Sequence, residues 1–538
     1  GKPDEVLTMP VEVTTKVIEV KYLLSQRLGV DVDKLAFIIK NSSSYRLMRD
    51  CDEVRSHVTV KGIRSWTREK NKYPHPVCLI GAGHQGLRQA LSFLKEGISD
   101  FTVFERLDKV GGIAWAQNAN TTSKLQTELG VYHLQYDKDY PIPRKTMKTW
   151  PTSQELLDHF KQVSIEYGIM AHVQLNTEVT EVKVVVTSKD LAFYAPEKQY
   201  FDIVSSDLTK SGEESQASYS VIAAYPGTLV APWRIEYKGE EVFEGPIGYG
   251  MFNEFDYTQV KDAVPCVLGM GAFGVENVRT CVEHGASKVW LLCRRKNLAM
   301  PRCLSWLINQ SIYPVTGAMV LDAMRPMYNL VGDNPWEYYG VVANKDRTTA
   351  TIRQKSRFGI GDVWFLASHY GKAEQVVDTI KRLKPRQIML DGGGCLDADC
   401  LIKVLGFQPD QRVDKLFGIK EMVGFWVNGD WRRWLCSEFP GVDAGRFGGT
   451  SASPGFIATV EMESWFINYP KDLDAILQAN ILPRNKADKD NNKPAYVWEN
   501  RQGNSVNMFL SGGMIPAIAE LSGPYGPLNR QKMLEAHP

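Results

Sequence analysis

A chain of 538 residues, 43% hydrophobic and 23% charged, can bury several cores and should divide into three or four domains. Its formal net charge of +1 and its lack of a long Lys/Arg block exclude a nucleic-acid groove, and no run of about 18 apolar residues exists to make an ordinary transmembrane helix. Nine Cys, without Cys-x-x-Cys pairs or interleaved His, give neither a disulfide framework nor a zinc motif and point to a reducing, cytoplasmic setting. A start at Gly1 rather than Met reads as processing or trimming, so a targeting segment could already be gone.

Residues 1–63 are expected to form a small α+β module. Thr14 or Thr15 can cap a helix whose apolar face carries Val17, Val20, Leu24 and Leu28, and Gly29 can close it. Strands are expected over Lys34 to Lys40 and His57 to Ile63. The pattern resembles a ubiquitin-like β-grasp that lacks its opening strand; the blander alternative is any small α+β cap. Residues 64–76 are a polar linker.

The strand-like Val77-Cys-Leu-Ile then runs directly into Gly81-Ala-Gly83-His84-Gln85-Gly86, a G-x-G-x-x-G turn opening a helix that Gly97 ends. The first glycine permits the tight turn, the second a close approach to a pyrophosphate, and the third close helix packing. The next strand, Phe101 to Phe104, ends at Glu105, where a carboxylate accepts ribose hydroxyl hydrogen bonds.

A second strand and turn, Val264-Pro-Cys-Val-Leu-Gly269-Met-Gly271-Ala272-Phe273-Gly274, repeats the pattern, with a helix through Glu276 to Glu283 and a strand over Val289 to Leu292. Here the acid position holds Cys293, followed by Arg294, Arg295 and Lys296. Guanidinium groups suit the 2′-phosphate that distinguishes NADPH. The bland alternative is a solvated charge run.

After Glu105, the segment Arg106-Leu-Asp-Lys-Val-Gly111-Gly112-Ile-Ala-Trp115 resembles the glycine-pair and Trp stretch of FAD-binding Rossmann proteins, above all the flavin-containing and Baeyer–Villiger monooxygenases. The resemblance spans about residues 76 to 470. Leu125-Gln126-Thr127, Tyr140-Pro-Ile-Pro143, Trp150-Pro-Thr-Ser153, Phe243-Glu-Gly245 and a late strand ending at Gly406 agree with it. It implies an α/β fold of two Rossmann-like domains, an NADPH domain (236–385) inserted into an FAD domain (77–235 and 386–470), with a C-terminal extension at 471–538. It adds Arg106, Leu125, Val179 and Gly406 to the cofactor contacts.

The implied activity is hydride transfer from NADPH to FAD, followed by oxygen activation toward a small nucleophilic substrate. Candidates at the flavin face are Gln126, Thr127 and Glu128, with Tyr249 near the domain junction. The family motif F-x-G-x-x-x-H carries Tyr249 at its His position here, and Glu128 stands where that family places Asn. These departures favour a rival reading, an oxidase or reductase releasing hydrogen peroxide. A third reading is a non-catalytic flavin-binding subunit. The module and extension leave room for a protein partner and for a homo-oligomer. Asp391-Gly-Gly-Gly394 lacks the Lys-Ser/Thr of a phosphate loop and reads as a turn.

Overall fold

The computed structural model describes residues 8–407 except 42–43, 55–56, 63–68, 127–131, 135–147, 149, 187–198, 211, 226, 228–231, 306–315 and 353–357; beyond 407 it describes 416, 434–436, 464–465 and 467–469. In the N-terminal module, helix α1 (Val17–Leu28) buries Val17, Val20 and Leu24. It lies with strands β1 (Ala36–Asn41), β2 (Ser44–Leu47) and β3 (Thr59–Lys61), which pair antiparallel in the order β2-β1-β3. Gly29 ends the helix in the left-handed region as expected. Two details differ. Lys16 takes the cap position, its N–H donating to Glu19 at 2.6 Å, while Thr15 accepts from Glu12 in the preceding turn. Leu28 lies exposed beyond the end of the apolar stripe.

Strand β4 (Val77–Ile80), helix α2 (His84–Lys95) and β5 (Phe101–Phe104) form the first strand-turn-helix-strand unit. Helix α3 (Ser153–Glu166) follows, started by Thr152, whose hydroxyl accepts from the Glu155 N–H. After β6 (Val173–Gln174), an antiparallel meander β7 (Thr177–Val186), β8 (Gln199–Asp207) and β9 (Glu213–Tyr219) leads to β10 (Val221–Ala224). Strand β10 inserts beside β4, so the parallel sheet reads β10-β4-β5-β6. Leu79, Val103, Phe160, Val163 and Ala223 are buried between its layers.

The second unit repeats this plan. It begins with β11 (Ile247–Tyr249), β12 (Pro265–Leu268), α4 (Ala272–Glu283) and β13 (Val289–Cys293). Small pairs follow, β14 (Ala299–Met300) with β17 (Gly359–Ile360) and β15 (Val341–Ala343) with β16 (Ala350–Ile352). Then come β18 (Ala373–Val377), a meander of β19 (Ile380–Lys384), β20 (Gln387–Leu390) and β21 (Cys395–Asp397), and β22 (Cys400–Lys403). The parallel sheet is β11-β22-β12-β13-β18. In both units a three-stranded meander carries the chain from one end of the sheet back to the flank of the strand that enters the glycine turn.

One expected boundary is corrected. A division at 385/386 falls on the two-residue turn of the β19–β20 hairpin, and β22 pairs with β11 and β12 rather than with the first sheet. Strand period alone does not name a strand's partner, so meander strands read like a return to the parent sheet. The described return comes later. Strand β23 (Trp434–Cys436) pairs parallel with β10, and Ser464 and Asn468 hydrogen-bond Gln89 of α2 and Glu96 at its C-terminal end.

Candidate functional site

The two glycine turns are built alike, atom by atom. Gly81 has φ +98°, and a Cβ there would stand 2.3 Å from the Tyr225 carbonyl oxygen; Gly269 has φ +118°, and a Cβ there would stand 2.2 Å from that of Val404. Side chains at Gly86 and Gly274 would stand 1.9 and 2.0 Å from the carbonyls of Gly81 and Gly269. Only glycine lets strand, turn and helix approach so closely. Helices α2 and α4 start at Gly83 and Gly271 without a capping side chain. Their first N–H groups, on His84, Gln85 and Gly86 and on Ala272, Phe273 and Gly274, lie at the positive ends of the two helices.

Beside the first turn lies the glycine pair. Gly83 and Gly111 form a parallel bridge, the Gly111 N–H donates to Ala82 O at 2.8 Å, and a Cβ on Gly112 would stand 2.7 Å from Gly83 Cα. Glu105 sits at the end of β5, buried, accepting from the Ala82 N–H at 2.7 Å and the Leu107 N–H at 2.9 Å. Burial pushes its carboxyl above the usual range, and those backbone donors pull against the rise. Each oxygen accepts one of these bonds and keeps a lone pair for a second donor. Arg106 follows it, half-buried, and Trp115 packs edge-on to Tyr132 at 5.7 Å. Val179 lies at a bulge in β7, just past Thr177, whose N–H donates to Glu105 O.

Equivalent hydrogen bonds align the second turn with the first. The Gly81 N–H donates to Phe104 O, and the Gly269 N–H to Leu292 O, so Cys293 holds the place of Glu105 and Arg294 that of Arg106. The three cations beyond β13 differ in their surroundings. Lys296 is paired with Asp333 at 2.8 Å, and the Arg295 guanidinium stacks over Tyr339 at 4.3 Å from the ring centre. Arg294 is exposed, without an ion pair among the described residues.

The flavin-face candidates fare differently. Thr127 and Glu128 lie outside the described residues. Leu125 is buried in the core of the first unit. Gln126 faces the second unit: its Nε2 donates to Ala272 O at 3.1 Å and to Glu276 Oε2 at 3.2 Å. Tyr249 is committed to the outgoing connection, its hydroxyl accepting from the Ile235 N–H at 2.9 Å while Arg234 covers its ring. Gly406 has φ +77°, and its carbonyl accepts from the Trp233 N–H at 3.0 Å. It therefore ties the outgoing and returning connections together.

Sequence reading missed the seam between the units. Glu276 and Arg279, both on α4 and both buried, bond to each other and to residues 122–126 of the first unit. Asn120 donates to Gly250 O and to the Tyr257 hydroxyl, which itself donates to Asn277. The available signal was a Glu and an Arg three residues apart in a helix with apolar neighbours, a spacing that also suits an ordinary surface pair.

No protein-family model matches the chain. Among curated proteins, a Baeyer-Villiger monooxygenase of Streptomyces coelicolor is 23% identical over 227 residues, 42% of this chain and 39% of that protein. Flavin-containing monooxygenase 5 of Rattus norvegicus is 24% identical over 251 residues, 44% of this chain and 41% of that protein. The matched stretches thus span about two fifths of these relatives' length. Among solved structures, OTEMO in complex with FAD and NADP has a TM-score of 0.52 at 16% identity, covering 87% of this chain and 98% of that one. An ε-caprolactone-bound cyclohexanone monooxygenase gives 0.51 at 15% identity, covering 86% and 97%. The fold is therefore a mixed α/β architecture with parallel sheets, similar to that of these solved flavoprotein monooxygenases.

Proposed function

We propose that the chain is an NADPH-dependent FAD oxidoreductase of the monooxygenase type. The observation that carries this reading is the pair of equivalent glycine turns with opposite chemistry at one position, a buried carboxylate at Glu105 and an exposed guanidinium one residue past Cys293. The first turn suits FAD. Glu105 would accept the ribose hydroxyls, the α2 N-terminus would face the pyrophosphate, and Gly83 and Gly112 leave room for close backbone approach. The second turn suits NADPH, with Arg294 on its 2′-phosphate. Bound together, the two cofactors supply hydride transfer and oxygen activation for a small substrate. The chain's part is to bind, orient and exclude water. The names of the relatives and the FAD and NADP held by OTEMO support the reading.

Tyr249 favours a second outcome, release of hydrogen peroxide. Its hydroxyl bonds the backbone of Ile235, so it replaces the family's His with a group already engaged. The flavin unit is proposed to comprise 77–235 with the described residues 434–436, 464–465 and 467–469, the NADPH unit 236–407, and the ubiquitin-like docking module 1–63; the expected C-terminal extension at 471–538 lies outside the described residues. A β-grasp also needs a parallel strand pair, and no described residues of the module form one.

Anaerobic mixing of the flavin-reconstituted protein with NADPH or NADH, followed by admission of oxygen, tests the function. Bleaching by NADPH in preference to NADH is expected. Substrate oxygenation or stoichiometric peroxide then separates the two outcomes. Bound flavin that NADPH never bleaches would sink the enzyme reading.

A further inference from the structure

The chain turns at Asn120–Ser123, the Ser123 N–H donating to Asn120 O at 3.0 Å, and then runs extended to Gln126, with Leu125 N–H donating to Pro151 O and Lys124 bridging Thr152. Such a segment points alternate residues to opposite sides. Ser123 and Leu125 are buried in the first unit. Thr122, Lys124 and Gln126 all meet α4. Arg279 donates to Thr122 O at 2.9 Å, the Lys124 N–H donates to Glu276 Oε1 at 2.9 Å, and Gln126 donates to Glu276 and Ala272. Thr122 and Thr280 also share a hydroxyl contact of 3.1 Å.

The registers match for a geometric reason. Two residues of extended chain advance about 6.8 Å, and four residues of helix advance about 6 Å. Residues 126 and 124 therefore keep step with 272 and 276, and the turn before them brings Thr122 to Thr280. Gln126 Oε1 further accepts from the Ile360 N–H at 3.4 Å, so the strap also grips the strand packed on α4. Glu276 is 8% exposed and Arg279 5% exposed. Glu276 would be a costly buried charge without Arg279 and the strap's donors, while Arg279 is also paired with Glu283 at 2.6 Å.

Ala272 is the first residue of α4 after the second glycine turn, and Leu125 belongs to the core that supports the first. We propose that Thr122, Lys124 and Gln126, with Glu276 and Arg279, form a strap that fixes the separation and angle of the two nucleotide turns. Gln126, Glu276 and Arg279 are thus positioning residues for hydride transfer. The inference rests on the FAD and NADPH reading only where a rate is measured; the strap itself is a property of the bare chain.

Two variants, Arg279→Met and Gln126→Leu, test it, with Arg279→Lys as the conservative partner. In the cofactor-free protein, hydrogen exchange across 120–126 is expected to quicken about tenfold in Arg279→Met, while β4 and β12 keep their wild-type protection. In the FAD-loaded protein, the limiting rate of flavin reduction at saturating NADPH is expected to fall about tenfold or more in both variants. NADPH half-saturation should change by less than about threefold, and Arg279→Lys should recover much of the rate. Gln126→Leu removes no charge and keeps the test open if Arg279→Met fails to fold. Unchanged exchange together with an unchanged limiting rate overturns the strap, as does weakened NADPH affinity at a constant limiting rate. A wild type that NADPH cannot reduce overturns the functional reading instead, and exchange alone then decides the strap.

Discussion

Arg294 and Arg295 adjoin just past β13 and both are exposed, but Arg295 is stacked on Tyr339 while Arg294 has no ion pair or ring contact among the described residues. A charge-assisted contact to a phosphate is worth about 1.5–3 kcal/mol, so Arg294→Ala should raise the KM for NADPH about tenfold or more. The KM for NADH should hardly move. Steady-state assays with both nucleotides check this, and Arg295→Ala serves as the comparison with the smaller expected effect. His84 supplies a second residue-scale expectation. Desolvation holds its imidazole well below the ordinary 6.5, reinforced by Arg88 and His159. The unfolded chain takes up this proton below pH 6.5 and the folded chain does not. Stability is therefore lost as the pH falls from 6.5 toward the depressed folded value, by up to about 1.4 kcal/mol per pH unit from this group. Urea unfolding of the cofactor-free protein at pH 7.5 and 5.5 should show a shallower loss in His84→Gln than in wild type.

Elements meet at distances that only particular residues allow. Gly112→Ala places a methyl 2.7 Å from Gly83 Cα, so the glycine pair and the first turn must part. The protein is expected to purify without FAD and to bind it poorly when titrated, with the second turn unaffected. A flavin content equal to wild type would exclude the close approach as a requirement. Gly245, read in sequence as part of a linker motif, has a similar cause: a Cβ there would stand 1.8 Å from Asp399 O, where the outgoing chain passes the start of β22. In the sheet core, Leu79 on β4 is fully buried, and Leu79→Ala should cost about 2–5 kcal/mol, read as a lower urea midpoint of the first unit.

At the scale of the molecule, two connections and one seam join the units among the described residues. The outgoing and returning chains touch at Pro232 and Phe407, and buried Lys403 of β22 donates to Ile235 O and to Glu240 at 3.0 Å. Lys403→Met leaves the Glu240 carboxylate without its cation, keeping only the Tyr237 N–H at 2.7 Å. A loss of about 2 kcal/mol, discounted for the partial exposure of Glu240, is expected in the stability of the second unit. Partial proteolysis should then cut near 235–240 sooner than in wild type.

Both glycine turns, their strands and helices, and the positions of Glu105 and of the arginines just past β13 were legible in the sequence. Each is a local device: glycine spacing, apolar strand runs and the residue at the strand's end act within about 25 residues, and chain order preserves them. Which sheet Cys400–Lys403 joins, and that the strands around residues 380–397 form a meander, depended on partners that a period-two pattern does not name. The roles of Gln126 and Tyr249 were decided the same way. Both carry polar groups near the junction, and only the fold set one against α4 and the other against Ile235. The strap was hidden because its bonds join residues about 150 apart in the chain, where no local spacing records that an extended segment and a helix will keep step.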